Sequence, residues 1–145
     1  MSGRRAVTIG MTVLAAACAA HFPAPSNWDP EHSALVVQLP RDSAAARGAV
    51  LAAFAAESLV IQRVDSVTGE LVSARRNSES YFHHGGQVFY RALILPGPAG
   101  WQVRLTGAYS IPNFREGLRE DVPITPQDLP EWHRLTRLAE RAAGP

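Results

Sequence analysis

The sequence predicts an α+β domain: an antiparallel sheet of about five strands, including two hairpins, with an alanine-rich helix and a C-terminal helix. Three observations lead there. Residues 44–57 are dominated by alanine, with larger apolar residues at helical spacing. Residues 88–95 and 101–110 alternate in character on either side of Pro96-Gly97-Pro98-Ala99-Gly100, the signature of a hairpin. Residues 130–142 place Trp132, Leu135, Leu138, Ala139 and Ala142 on one stripe of a helix. The resulting order of strand, helix, hairpin, hairpin, helix suits an antiparallel sheet with helices on a face.

The first strand is expected over residues 33–39, where Leu35-Val36-Val37 runs into Pro40. Asp42 or Ser43 caps the helix that follows, and Val50, Leu51 and Phe54 are expected on one face. So much alanine lets a helix lie close to a sheet. Residues 59–65 and 71–75 read as paired strands around Ser66-Val67-Thr68-Gly69, with Gly69 supplying a positive φ. In the second hairpin, Val88, Tyr90, Ile94, Trp101, Val103 and Leu105 are expected beneath the helix that carries Val50 and Phe54. Phe89, Leu93 and Leu95 then fall on the opposite face, which needs a cover from the last helix or from a partner. Residues 77–86 read as a polar loop, and an irregular stretch follows Ile111-Pro112.

The chain carries 14 Lys+Arg against 13 Asp+Glu, and every basic residue is arginine. This balance argues against nucleic acid as a partner, because phosphate binding needs a concentrated basic field. An all-arginine, alanine-rich composition reflects a GC-rich genome more readily than guanidinium chemistry.

The N-terminus has the anatomy of an export signal. Arg4 and Arg5 form a basic start, residues 6–17 an apolar run, and Ala15-Ala16-Ala17 precede Cys18, the single cysteine. The apolar run is well short of the ~20 residues that a spanning helix needs. This arrangement resembles a bacterial lipoprotein signal, although Leu14 stands one position earlier than the usual leucine and Ala15 takes its place. The resemblance implies cleavage before Cys18, lipid on that cysteine, and a mature protein held to a membrane. Acylation also accounts for a lone thiol in an exported chain, which has no intramolecular partner. Ala19 stands where lipoproteins kept at the inner membrane often carry aspartate, so in a two-membrane host the resemblance implies the outer membrane, facing the periplasm.

The expected organisation is therefore a signal peptide over 1–17, a lipidated cysteine and tether over 18–33, and one globular domain over 34–145. Pro23, Pro25 and Pro30 keep the tether out of helix and central strand. Phe22 and Trp28 within it are expected to strap against the domain, the alternative being contact with the bilayer interface. Residues 42–75, an alanine-rich helix followed by Glu57-Ser58-Leu59-Val60-Ile61, Val64-Asp65 and Gly69-Glu70-Leu71-Val72-Ser73, resemble the helix-strand-turn-strand core of small envelope lipoprotein domains, such as the C component of the barrel-assembly machinery. Such domains are non-enzymatic interaction modules, and no catalytic residue carries over.

Chemical motifs are sparse. Adjacent His83 and His84 point in different directions on an extended chain, and His21, His32 and His133 supply no helical pair, so no metal site is expected. No serine lies in a Gly-x-Ser-x-Gly elbow, and no glycine loop precedes a helix to cradle phosphate. Arg91 and Arg104 remain. If Ile94 faces Trp101, the two arginines oppose each other, which destabilises unless an anion or carboxylate sits between them; the alternative is two side chains splayed into water over apolar stems. Arg91, Arg104, Phe89 and Leu93 are thus the candidate binding residues, with no cofactor implied. The expected function is a lipid-anchored, non-catalytic module that binds an envelope protein or polymer. A small envelope hydrolase is the alternative.

Overall fold

The structure is a computed structural model that describes residues 24–40, 42–78, 86–113 and 115–145. It is α+β, and its elements are β1 (Trp28–Asp29), β2 (Ala34–Leu39), α1 (Ser43–Ala56), β3 (Ile61–Asp65), β4 (Glu70–Ser73), β5 (Arg76–Asn77), β6 (Gln87–Gly97), β7 (Gly100–Asn113), β8 (Leu118–Pro123) and α2 (Leu129–Ala143). The strands form one antiparallel sheet in the order β1-β2-β7-β6-β4-β3, with β5 on β6 and β8 on β7.

The sheet has eight strands rather than about five. The additional ones are β1, β5 and β8, and each escapes pattern reading for a physical reason. With two residues apiece, β1 and β5 are too short to show alternation. The edge strand β8 is exposed along nearly its whole length, so Leu118-Arg119-Glu120-Asp121 has no buried side to create a period. Its pairing with β7 also replaces the irregular stretch expected after Pro112, and β7 continues to Asn113.

Both helices pack on one face of the sheet. Leu35, Val37, Val88, Tyr90, Val103, Leu105 and Tyr109 meet Val50 and Phe54 of α1 and Leu135 and Leu138 of α2 in a single core, with Trp101 and Ile94 half-buried at its margin. Asp42 caps α1 by accepting from the Ala45 amide at 2.7 Å. The inner side of that helix is Ala46, Val50, Ala53 and Phe54. Leu51 is exposed, contrary to expectation, because one residue turns the helix by about 100° and carries it away from Val50. Lodged between the helices is Glu57, just past the end of α1. Its carboxylate accepts from Arg137 Nη2 at 3.0 Å and Arg141 Nε at 2.9 Å, clasping α1 to α2.

The first hairpin starts and ends slightly inside its expected limits, and Gly69 does have a positive φ of 75°. A Cβ there would lie 2.5 Å from the Ile94 carbonyl oxygen, while the Gly69 carbonyl itself accepts from the Ile94 amide at 3.0 Å. The turn therefore docks directly on β6. Between β4 and β5 the register against β6 slips by one residue, and the Ser73 hydroxyl meets the interruption by accepting from the buried Tyr90 amide at 2.9 Å.

Part of the proline-rich segment lies on the domain. The Val36 amide donates to Asn27, β1 pairs with β2, and Trp28 sits edge-on to Trp132 with centroids 5.0 Å apart. Phe22 and Cys18 lie outside the described residues. Among the described residues, no helix is long and apolar enough to cross a membrane.

Candidate functional site

Since α1 and α2 share one side of the sheet, neither covers the other. Strand alternation places Glu70 and Val72 of β4, Phe89, Arg91, Leu93 and Leu95 of β6, and Arg104 and Thr106 of β7 on this open face. Trp132 and Leu135 of α2 are buried on the core side.

The four candidate binding residues do gather there, in a different arrangement from the expected one. Ile94 faces Val103 and Trp101 faces Pro96, because the strands stay paired as far as Gly97 and Gly100. Arg91 consequently lies opposite Thr106, and Arg104 opposite Leu93. A register change of two residues leaves every side chain on its face, so Arg91 and Arg104 remain diagonal neighbours.

Phe89 is only 3% exposed, which corrects its expected place in an uncovered apolar patch. Its cover is cationic. The guanidinium carbons of Arg91 and Arg75 stand 4.8 and 5.5 Å from the ring centroid, shielding the ring while stacking charge on its π face. Leu93 and Leu95 are half-buried. The surface is therefore an arginine-rich strip with apolar patches between its charges.

Carboxylates on this face are unevenly used. Arg63 holds Glu70, and Arg91 Nη2 approaches Asp121 at 3.6 Å, too far for a hydrogen bond. Arg119 is committed to Ser110, donating from Nε to its hydroxyl at 2.9 Å and from Nη2 to its carbonyl. The Nε atoms of Arg91 and Arg104 are buried and have no acceptor. Arg75, Thr106 and Glu70 join this face without being among the candidate binding residues expected from sequence. Their signal was present in strand alternation, but using it required the register.

Two other features offer less chemistry. Asp29, Glu31 and His32 bring ligand-type atoms within 4.8 Å of one another. Both Asp29 oxygens are engaged in the turn, however, accepting from the Glu31 and His32 amides and from His32 Nδ1 at 2.8 Å. That imidazole bond holds the Asp29 carboxyl below its ordinary range. A hollow of about 430 Å³ between the helices is lined by Ala52, Ala53, Ala56, Glu140 and Arg141, with no hydroxyl or imidazole on its wall. His83 and His84 lie outside the described residues.

No protein-family model matches the chain, and no curated protein matches it significantly. The chemistry of the open face must carry the functional reading.

Proposed function

We propose that this chain is a lipid-anchored envelope protein whose domain binds a partner through the open face of its sheet and performs no catalysis. One observation carries the reading: a broad sheet face left uncovered by both helices, bearing arginines whose donors outnumber the acceptors beside them. The basic start, apolar run and small residues before Cys18 support the anchor. The helix-strand-turn-strand order of residues 43–73 supports kinship with small envelope interaction modules. In a two-membrane host the protein belongs on the outer membrane, facing the periplasm.

The test has two arms. Replacing Cys18 by Ser releases the chain from the membrane fraction and leaves its signal unprocessed; unchanged fractionation and mass reject the anchor. A photo-crosslinking residue at Gln38, on the open face of β2, captures a discrete partner in native membranes, whereas the same residue at exposed Leu51 of α1 does not. Equal capture from both positions, or none from Gln38, rejects the partner surface.

A further inference from the structure

Arg91 and Arg104 line a hollow of about 190 Å³ on the open face, together with His32, Glu70, Leu93 and Thr106. Burying a guanidinium N–H without an acceptor forfeits its hydration, so native structures seldom tolerate one. Here two neighbouring arginines each bury such an N–H, in side chains that line the same hollow. The nearest ion-pair contact of Arg91 is the loose one to Asp121, and Arg104 has no carboxylate within ion-pair reach among the described residues.

We propose that this hollow is a carboxylate-binding site for an extended acidic segment of a partner protein. The inference rests on the reading of the open face as the partner surface and assigns its chemistry. Charge decides the ligand class. Three guanidinium groups, Arg63, Arg91 and Arg104, stand against two carboxylates, Glu70 and Asp121, and His32, bound to Asp29, completes the wall. The excess is one positive charge, which suits a monoanionic carboxylate, whereas a phosphate dianion would overcompensate it and meet Glu70. A carboxylate is acceptor-only and planar, able to accept from a guanidinium that turns its buried Nε–H toward the hollow, and the Thr106 hydroxyl adds a donor on the same wall. Geometry decides that the segment is extended. Arg91, Leu93 and Leu95 fall at every second residue along β6, so one charged and two apolar contacts follow at intervals of about 7 Å, the spacing on one side of an extended chain.

The test follows the arginine side-chain Nε–H resonances of the isotope-labelled full chain by NMR, at constant ionic strength. The probes are the acidic peptide N-acetyl-Glu-Ser-Leu-Ser-Leu-amide, whose glutamate and leucines share one side of an extended chain, its counterpart with Gln for Glu, and inorganic phosphate. The acidic peptide shifts the Arg91 and Arg104 signals together and saturably. Arg104→Gln weakens its binding by about tenfold, in line with the loss of a charge-assisted hydrogen bond. Arg119→Gln, which removes a guanidinium already committed to Ser110, leaves binding unchanged. An equal response to the Gln peptide, tighter binding of phosphate, or no saturable shift overturns the site. Undiminished capture of the membrane partner by an Arg104→Gln chain also overturns it, and does so while leaving the partner surface itself standing.

Discussion

The Tyr90 hydroxyl donates to the Glu131 carboxylate, joining residues 41 positions apart in the buried core. Glu131 belongs to the first turn of α2, where the helix dipole favours a negative charge, and it is fully buried. One hydrogen bond thus seats the start of the last helix on the middle of the sheet. Burial first, and then the adjacent carboxylate, raises the Tyr90 pKa far above its ordinary value.

Replacing Tyr90 by Phe removes a donor from a buried carboxylate, and we expect a loss of about 1–3 kcal/mol in urea unfolding. The pH dependence has a definite sign. Tyr90 ionises later in the folded than in the unfolded protein, so its stabilising contribution is complete below about pH 10 and declines as pH rises above that value. Ultraviolet titration should show no Tyr90 phenolate before the alkaline unfolding transition. A phenolate formed in the still-folded protein would contradict the buried bond.

Acid should act through Glu57. Burial pushes its carboxyl up, but hydrogen bonds from Arg137 and Arg141 outweigh that effect and leave it below the usual carboxylate range. The contribution is therefore present above the unfolded value and is lost as pH falls through the folded one. Glu57→Gln costs about 1–2 kcal/mol near neutrality and flattens the acid side of the stability profile. A variant with an unaltered acid limb would mean that the clasp between the helices contributes nothing.

At Gly69 both conformation and space exclude a side chain. Gly69→Ala forces an L residue to a φ of 75° and drives its Cβ against the Ile94 carbonyl. The expected cost exceeds the ~1 kcal/mol of a left-handed residue alone, because the turn must also lift from β6. Thermal unfolding checks this, and a loss in midpoint no larger than that of Gly117→Ala, where a φ of 66° is also left-handed but the added carbon meets open space, would refute the docking contact.

Phe54 is fully buried between α1 and the sheet. Truncation to Ala should cost on the order of 3–5 kcal/mol by denaturant titration. Leu51→Ala, on the exposed side of the same helix, should cost well under half as much. Similar losses from the two substitutions would mean that the helix is rotated relative to the structure described.

The sequence by itself determined whatever is encoded over a few neighbouring residues. Helical spacing in residues 43–56 and 129–143 located both helices, Asp42 marked a start, and Gly69 marked a turn. Alternation assigned Val88, Tyr90, Val103 and Leu105 to the core because a buried face imposes a period of two wherever one side of a strand meets solvent. The tertiary structure alone decided what depends on distant partners. Two-residue pairings and the exposed strand β8 have no local periodicity, since their hydrogen bonds are with segments elsewhere in the chain. The helices' choice of a common face, the cover of Phe89 by Arg75 and Arg91 instead of α2, and the diagonal setting of Arg91 and Arg104 all follow from packing and register. Alternation fixes which face a side chain takes but is unchanged by a shift of two residues, so it could gather those arginines on one surface without saying which neighbours they meet.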